Sequence, residues 1–222
     1  MDVNHKVVLK KSSLFRDIDD AGCISLLNCL APQIKHYLKN EIMLLTGNSV
    51  KHIGIILAGN ASAYLEHIDG SRTLISNLTP MSVFGEILVS TRTHKSPVTV
   101  FAGSNVTVAF IDYQKVYSMC ETACYEHRVF IQNMLKVIGD KYFYLFDRIA
   151  ILREKKLRAR IMAYLHSLRN KEDSLTVTLP FSKTNLADYL LVNRSALSKE
   201  LHKMVRDGII SVYGRTIEIK LV

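Results

Sequence analysis

Residues 119–169 constrain the fold of this chain most, because they contain no proline and a single glycine, Gly139. Such a stretch is typical of helix, since Pro and Gly are the residues that most strongly interrupt helices. Within it, apolar residues recur at alternating steps of four and three residues, which is the heptad pattern of a coiled coil. We call these residues the dimer seam: Ile131, Leu135, Ile138, Tyr142, Leu145, Ile149 and Leu152. The seam predicts a long helix, 126–152, that forms a homodimer; a helix that packs this stripe against its own domain is the alternative.

Glycines and prolines concentrate before this helix. Six of the ten glycines lie between Gly47 and Gly103, together with two of the four prolines, and they separate short runs rich in Val, Ile, Thr and Tyr. Such runs predict strands, here at 41–45, 52–57, 61–68, 71–78, 98–102 and 106–112. Asp69-Gly70 predicts a type I′ hairpin turn, which needs positive φ at both central residues. Residues 19–38 show helical spacing of apolar residues and predict two short helices separated at Pro32.

The last seventy residues predict a winged helix. Residues 157–168 have the apolar spacing of a helix, and 175–179 alternate as a short strand. Ser182 is a suitable N-cap for a helix over 183–190, and a turn at 191–193 leads into a second helix, 194–207, which Gly208 ends. Two short helices joined by a tight turn form a helix-turn-helix. Residues 209–213 and 216–221, joined at Gly214-Arg215, predict the β-hairpin that serves as the wing.

Charge is distributed unevenly along the chain, whose formal net charge is +9. Residues 153–222 carry fourteen Lys/Arg against seven Asp/Glu, whereas residues 1–152 carry fifteen against thirteen. A basic excess confined to one segment is typical of a protein that binds nucleic acid or another anionic surface. The charge pattern therefore favours a nucleic-acid partner for the C-terminal segment.

Several classes of protein are excluded or disfavoured. Apolar residues make up 48% of the chain, enough for a sizeable core, while the longest apolar runs are far shorter than the ~18 residues of a membrane span. The first eleven residues alternate charged and apolar residues, unlike a secretory signal. We therefore expect a cytoplasmic protein without a membrane partner.

Cysteine and histidine patterns predict no metal site. The cysteines are too few for a disulfide scaffold, include no Cys-x-x-Cys pair, and are predicted to be reduced core thiols: Cys23, Cys29, Cys120 and Cys124. The eight histidines form no His-x-His or His-Glu-x-x-His pattern. No catalytic residue and no certain cofactor are predicted, although the sequence leaves a haem ligand open.

Residues 185–201 (NLADYLLVNRSALSKEL), followed by DGII at 207–210 and YGRTI at 213–217, resemble the DNA-binding domain of the Crp/Fnr family of bacterial transcription regulators. The resemblance implies an α+β fold with three parts. These are an N-terminal β-roll (1–125) like the double-stranded β-helix of cyclic-nucleotide-binding domains, a long dimerisation helix (126–152) and a C-terminal winged helix (153–222). Phe84-Gly85-Glu86 and, ten residues later, Lys95-Ser96-Pro97 are similar to the family's phosphate-binding cassette.

The second helix of a helix-turn-helix lies in the major groove, and its first turns face the bases. The residues expected to contact bases are Arg194, Ser195, Ser198 and Lys199. Those expected to contact phosphates are Lys183, Lys203, Arg206 and Arg215. Family members commonly have Glu at the position of Ser195 and Arg at that of Lys199, so the operator need not be the one that the best-known members bind.

The resemblance implies that Gly85 and Glu86 bind the phosphate and ribose of a cyclic nucleotide. Lys95 replaces an Arg and lacks its bidentate fork, Pro97 lacks a backbone donor, and Leu145 and Phe146 align with small polar residues that would meet the purine. We therefore expect an apolar or aromatic effector rather than cyclic AMP. Its expected contacts are Phe84, Gly85, Glu86, Ile87, Lys95, Ser96, Tyr142 and Phe146. An ordinary turn that closes a strand is the alternative for Gly85-Glu86.

The function predicted from these features is a homodimeric, non-enzymatic transcription regulator. It binds a palindromic operator in double-stranded DNA under the control of an unknown small molecule, with RNA polymerase as a candidate partner. One alternative is a constitutive DNA-binding protein with a degenerate sensor domain. Another is a cupin-like enzyme with a helical tail, which requires clustered His and Glu ligands and leaves the basic segment unexplained.

Overall fold

A computed structural model describes residues 3–118, 124–172, 174, 176–179 and 182–220. The chain forms two compact units, Met1–Asp140 and Lys141–Val222. Among the helices in these described ranges, none combines the length and the hydropathy needed to cross a membrane.

The first unit contains helices at its two ends and strands between them. The helices are α1 (Val3–Lys11), α2 (Asp20–Leu30), α3 (Glu86–Val89), α4 (Tyr113–Tyr117) and the N-terminal part of α5 (Tyr125–Arg153), with a 3-10 turn at Ser13–Phe15. The strands are β1 (Gln33–Tyr37), β2 (Ile42–Leu44), β3 (His52–Ala58), β4 (Ala61–Glu66), β5 (Arg72–Leu78), β6 (Val83–Phe84), β7 (Thr99–Ala102) and β8 (Val106–Asp112).

These strands form two four-stranded antiparallel sheets, in the orders β1-β8-β3-β6 and β2-β7-β4-β5. Because successive side chains of a strand point to opposite faces, β8 contributes to two cores. Val106 and Val108 belong to a core built from both sheets, whereas Ala109 and Ile111 pack with residues of the helices. The first unit is therefore a β-roll with helices against one of its sheets, as the sequence predicts.

The prediction of a second short helix after Pro32 is wrong. Helix α2 ends at Leu30, and Ala31 adopts a left-handed conformation with φ of 42°. Residues Gln33–Tyr37 then form β1, which pairs with β8 from Gln33↔Phe110 to Tyr37↔Val106. Pairing along the edge of the sheet satisfies the backbone and overrides the helical spacing of the side chains, because tertiary context outweighs local propensity.

The hairpin between β4 and β5 is present, but its turn is not type I′. Only Gly70 has a positive φ, of 81°, and its amide donates to the carbonyl of His67. The central residues of the turn are thus Ile68 and Asp69, followed by a left-handed glycine, a common three-residue hairpin loop. The Asp69 side chain accepts hydrogen bonds from the amide and hydroxyl of Ser71, which stabilises this arrangement and lowers the pKa of Asp69.

The predicted long helix, 126–152, is confirmed as α5, and the separate helix predicted over 157–168 is confirmed as α6 (Leu157–Glu172). Helix α5 ends at Arg153, and α6 begins four residues later. The start of the predicted stretch, 119–123, lies outside the described residues. The remaining elements are β9 (Thr176–Thr178), α7 (Lys183–Tyr189), α8 (Arg194–Arg206), β10 (Ile210–Tyr213) and β11 (Thr216–Ile219).

The second unit has the architecture of a winged helix. Its sheet has the order β10-β11-β9, with antiparallel pairs. Ser182 caps α7 by accepting from the amide of Asn185, and Asn193 caps α8 by accepting from the amide of Ala196. Gly208, with φ of 74°, follows the end of α8. The N-cap at Ser182, the tight turn before α8 and the hairpin wing are therefore confirmed.

Candidate nucleic-acid interface and sensor site

Helix α8 has a buried apolar face and an exposed basic face. Leu197, Leu201 and Met204 are each at most 4% exposed and belong to the core of the second unit. Their spacing of four and three residues places them on one side of the helix. The exposed side chains of α8 include Arg194, Ser195, Lys199, His202, Lys203 and Arg206. Helix α8 therefore presents cations and hydrogen-bonding groups to solvent.

The four residues expected to contact bases lie in the first six positions of α8. Arg194, Ser195 and Lys199 are exposed, and Ser198 is half-buried. The Ser195 hydroxyl donates to Asn193 Oδ1 at 2.9 Å, the same oxygen that caps the helix. Ser195 thus reinforces the N-cap, and its oxygen keeps lone pairs that can accept from a base.

Arg158 on α6 is a residue of this site that the sequence did not indicate. Its Nε donates to Glu200 Oε1 at 2.7 Å, and its Nη1 lies 2.7 Å from Asp207 Oδ2. These hydrogen bonds raise the pKa of Arg158, the bond to Glu200 most. Arg158 thus neutralises the carboxylates of Glu200 and Asp207. These two negative charges therefore do not offset the positive charge of the exposed Lys and Arg side chains on α8. No local motif connects residues that are so far apart in sequence.

The four residues expected to contact phosphate are all exposed, but one of them also holds the wing in place. Arg215 donates from Nε and Nη2 to the carbonyl of Leu179, at 3.2 Å and 2.9 Å. Lys183, Lys203 and Arg206 are exposed at the surface of α7 and α8. His202 is a further polar group here: its Nδ1 donates to the carbonyl of Ser198 at 2.7 Å, so Nε2 is available for another partner.

In the first unit, the backbone conformation and the close packing at position 85 of the cassette require glycine. Gly85 has φ of 85° and is the N-cap of α3, and a Cβ added there would lie 2.7 Å from the carbonyl oxygen of His52. Glu86 follows and is 1% exposed, while Ile87 is half-buried. Phe84, 8% exposed, lies directly against Gly54, where its ring occupies the space that a Cβ would need.

In the second half of the cassette, Lys95-Ser96-Pro97, the polar groups of Ser96 form hydrogen bonds with nearby backbone groups. Ser96 is 3% exposed; its hydroxyl donates to the carbonyl of Val98 at 2.7 Å and accepts from the Val98 amide at 3.2 Å. The Ser96 amide donates to the carbonyl of Asn48. Lys95 is exposed and forms a β-bridge with Ser49. The hydroxyl that would clamp a phosphate is therefore already bonded to the backbone.

A cleft of about 460 Å³ opens between the two sheets of the first unit. Phe110 is one of its lining residues, and the rings of Phe84, His52 and Tyr37 lie at centroid distances of 5.9, 6.2 and 6.5 Å from the Phe110 ring. Lys35 and Lys51 also line it, and Lys35 Nζ lies 5.5 Å from the centre of the Phe110 ring. Burial raises the pKa of Tyr37, and Glu41 adds to this shift. Of the residues expected to contact an effector, the cleft includes Phe84.

Helix α5 carries two neighbouring apolar stripes. Leu135, Tyr142, Leu145 and Ile149 of the dimer seam are between 43% and 61% exposed. The other three seam residues, Ile131, Ile138 and Leu152, are half-buried, and the first two pack against the core of the first unit. One position before Ile131, Leu135 and Ile138 lie three residues that are buried in that core: Phe130, Met134 and Val137. The helix thus packs with one stripe and leaves most of the other exposed.

The cysteines differ in their surroundings. Cys23 is buried, whereas Cys29 and Cys124 are half-buried and lie near His127; Cys120 lies outside the described residues. Over the described parts of the chain, no group of three or more His, Cys, Asp and Glu side chains is arranged to hold a metal ion.

Two family models match the chain, one in each part. Residues 34–123 match a cyclic nucleotide-binding domain, and residues 159–221 match a Crp-like helix-turn-helix domain. No curated protein sequence matches the chain.

Solved structures share the fold of nearly the whole chain. CLP of Xanthomonas campestris, described as a c-di-GMP responsive global regulator, is 15% identical with a TM-score of 0.64, covering 92% of this chain and 100% of that chain. A CooA mutant from Carboxydothermus hydrogenoformans is 21% identical with a TM-score of 0.64, over 89% and 91%. FixK2 from Bradyrhizobium japonicum is 17% identical with a TM-score of 0.57, over 86% and 93%. At these identities the likeness shows the fold alone.

A cyclic-nucleotide-binding domain joined to a helix-turn-helix defines a DNA-binding transcription regulator. Both matched segments and the fold agree with this architecture, and the two segments together make up more than half of the chain. The chain belongs to the Crp/Fnr family of transcription regulators.

Proposed function

We propose that the protein is a homodimer that binds a palindromic operator and responds to an apolar or aromatic effector other than cyclic AMP. The observation that carries this proposal is the exposed basic face of α8, opposite the face on which Leu197, Leu201 and Met204 are buried in the core. Arg194, Ser195, Ser198 and Lys199 are proposed to contact bases. Lys183, Lys203, Arg206 and Arg215 are proposed to contact phosphates, and RNA polymerase is a proposed partner on the bound operator.

The exposed part of the dimer seam supports self-association. Leu135, Tyr142, Leu145 and Ile149 lie on one helix at heptad spacing and are exposed in the single chain. Phe143 and Phe146 are also exposed, at 64% and 57%. A contiguous apolar surface of this kind marks an interaction site, and a second copy of α5 offers a complementary stripe. We therefore assign 126–152 to dimerisation, between a sensor domain (1–125) and a DNA-binding domain (153–222).

Substitution of the exposed seam residues tests the dimer. Leu145→Lys with Ile149→Lys would place charges in a desolvated seam, which is destabilising by several kcal/mol, while each side chain is already exposed in the folded chain. We expect light scattering to report monomers and the circular dichroism spectrum to be unchanged. Gln132→Lys, an exposed position outside the seam, is the control and should remain dimeric. A folded dimer in the double variant would show that the seam is assigned wrongly.

Selection of bound DNA from a random pool, with and without cell extract, tests operator binding. A two-fold protein presents its recognition helices symmetrically, so the expected product is an inverted repeat with half-site centres about one helical turn, ~34 Å, apart. Enrichment of a single unrepeated half-site would contradict the dimeric binding mode. Absence of any enriched sequence in both arms would contradict sequence-specific binding.

The state of the cassette supports an effector other than cyclic AMP. Ser96 has both hydroxyl functions bonded to Val98, and Lys95 offers a point charge rather than a bidentate fork. The aromatic cleft beside Phe84 gives the first unit room for a ring-containing ligand. The proposed effector contacts in this unit are Phe84, Gly85, Glu86, Ile87, Lys95 and Ser96. Tyr142 and Phe146, whose rings stack at 6.4 Å, remain in the proposed set on the family resemblance alone.

Calorimetric titration with cyclic AMP and cyclic GMP tests this part of the proposal. Weak or absent binding is expected for both nucleotides. A thermal-shift screen of aromatic carboxylates should identify a stabilising ligand, because binding at 100 times Kd contributes ~2.7 kcal/mol. Low-micromolar binding of either nucleotide, abolished by Glu86→Ala, would show that the protein is an ordinary cyclic-nucleotide receptor.

The engaged Ser96 hydroxyl also favours a second candidate function, a constitutive DNA-binding protein with a degenerate sensor domain. The two candidates predict different effects of cell extract on the affinity for the operator. A regulated protein should change its operator affinity when small molecules from the extract are added, whereas a constitutive protein should show the same affinity with and without extract.

A further inference from the structure

Two thiols and one imidazole meet where the last turn of α2 approaches the start of α5. The Sγ atoms of Cys29 and Cys124 lie 3.8 Å and 3.9 Å from Nδ1 of His127. His127 is 1% exposed, while both cysteines are half-buried and within reach of solvent. The two sulfur atoms can be no farther apart than the sum of these two distances.

The other ring nitrogen of His127 determines which form of the imidazole faces the thiols. His127 Nε2 lies 2.9 Å from the backbone carbonyl oxygen of Lys115. A carbonyl oxygen can only accept, so Nε2 carries the proton and donates it. In the neutral ring Nδ1 is therefore unprotonated, and its lone pair faces the two sulfur atoms. An imidazole in this position can take a thiol proton and generate the thiolate, the nucleophilic form of cysteine.

We propose that Cys29 and Cys124 are an oxidant-reactive thiol pair, activated by His127, that closes to a disulfide in the presence of a hydroperoxide. One thiolate attacks a peroxide oxygen, the O–O bond breaks, and the alkoxide leaves as an alcohol with the proton that His127 holds. The cysteine is now a sulfenic acid. The second thiol attacks that sulfur, an S–S bond forms and water leaves. Two thiols and one hydroperoxide thus give one disulfide, one alcohol and one water.

Cys23 shows what a thiol outside this arrangement looks like. It lies on the same helix as Cys29 but is 1% exposed, and its Sγ is 3.6 Å from the carbonyl oxygen of Ile18. Burial raises the pKa of Cys23, which Lys10 only partly offsets. We therefore expect Cys23 to remain a thiol under conditions in which the hydroperoxide oxidises Cys29 and Cys124. Cys23→Ser is the matched control.

A Cys29–Cys124 disulfide would connect two elements that share one core. Helix α2 contributes Leu26 and Leu30 to the core of the first unit, and the first turns of α5 contribute Phe130. A covalent link at this point would fasten the C-terminus of α2 to the start of α5. The reaction and its readouts depend on the first unit only, so they do not depend on the proposed operator or effector.

The test uses the reduced, full-length protein treated with hydrogen peroxide, followed by thiol counting under denaturing conditions and peptide mapping. Cleavage after Glu121 separates Cys120 from Cys124. Cys23 and Cys29 lie on one peptide, so the Cys23→Ser variant identifies Cys29 as the other partner. The wild-type protein and Cys23→Ser should each lose two thiols and yield one cross-link, between Cys29 and Cys124. His127→Gln, which keeps a donor for the Lys115 carbonyl but lacks the base, should lose thiols about tenfold more slowly or worse.

Two single variants decide the outcome even if the substitution at buried His127 prevents folding. In Cys29→Ser and in Cys124→Ser the ring is intact, so peroxide should leave a sulfenic acid on the remaining cysteine of the pair, which dimedone traps. A cross-link between Cys29 and Cys120, sulfenic acid on Cys23 at a matching rate, or no thiol loss in the wild-type protein would overturn the proposal. A folded His127→Gln variant that reacts at the wild-type rate would overturn the role of the imidazole.

Discussion

Helix α8 and the cassette are two of the places at which ligand contacts are proposed, and their polar side chains differ in whether they are exposed or bonded within the fold. On α8, Arg194 and Lys199 are exposed, and the helix is held by its apolar face. In the cassette, Ser96 is buried and its hydroxyl bonds the Val98 backbone. Gly85 has a conformation that the turn itself requires.

The difference separates side chains that hold the fold from side chains that are available for a ligand. Removal of an exposed cation leaves the folded state nearly unchanged, because surface groups contribute little to stability. Removal of a buried hydroxyl that is bonded twice leaves backbone groups without partners, which costs free energy of unfolding. Substitutions on α8 should therefore weaken DNA binding and leave stability unchanged. Substitutions in the cassette should lower stability and leave DNA binding in the absence of effector unchanged.

The largest effect on stability is expected for Gly85→Ala. A methyl group there must accept both a positive φ and a contact of 2.7 Å with the His52 carbonyl oxygen, which together should lower the free energy of unfolding by about 2–5 kcal/mol. Gly47→Ala is the control: it has φ of 83° but no atom within 4 Å, so it should show the conformational cost alone. Equal losses in chemical denaturation would mean that the His52 contact relaxes without cost.

Arg194→Ala should have the largest effect on operator binding. Loss of a bidentate contact to guanine is expected to cost ~1–3 kcal/mol of specific binding and to relax the preference at one base pair per half-site. Thermal unfolding should not change. Arg92→Ala, exposed in the first unit, is the matched control for charge. Equal losses on operator and random DNA would show that Arg194 does not read a base.

Ser96→Ala should reduce stability by about 1 kcal/mol, the usual contribution of a buried hydrogen-bonded hydroxyl. Operator binding in the absence of effector should stay as in the wild-type protein. Ser49→Ala, at an exposed neighbouring position, should leave both unchanged. A Ser96→Ala protein with wild-type stability would show that the hydroxyl is available for a ligand and would remove the contrast with α8.

The smallest effect is expected for Lys203→Ala. An exposed lysine that contacts a phosphate positions the protein without reading sequence, so its loss should weaken binding to all sequences alike. The salt dependence of the binding constant should flatten by about one unit for each lost contact. Lys39→Ala, exposed in the first unit, should keep the wild-type slope. A sequence-dependent loss would assign Lys203 to the base-contacting set.

The elements that the sequence predicts well are those whose signals are local. Asn193 and Ser182 precede the helices that they cap, and Gly208 follows the helix that it ends. Strand β1 was predicted wrongly because its partner β8 lies about seventy residues later, and pairing over that distance leaves no local trace. Short elements such as β6 and α3 were missed for the same reason: they are fixed by packing around Phe84 and Gly85.

The candidate site shows the same limit. Exposure of Arg194 and Lys199 follows from the amphipathic pattern of α8, which is visible in the sequence. The pairing of Arg158 with Glu200 and Asp207, and the approach of Cys29 to His127, join residues that are far apart in the chain. Sequence motifs describe residues that are near one another in the chain, so no motif could indicate the ion pairs of Arg158 or the contact between Cys29 and His127.

The close fit of Phe84 against Gly54 means that these two positions cannot evolve independently. Any side chain at position 54 would enter the space that the ring of Phe84 fills, so it requires a smaller residue at position 84. In a double-mutant cycle, Gly54→Ala and Phe84→Leu should therefore be non-additive, with the second change partly rescuing the first. Relatives that differ from this chain at one of the two positions are expected to differ at the other, a covariation that would identify the contact from sequences alone.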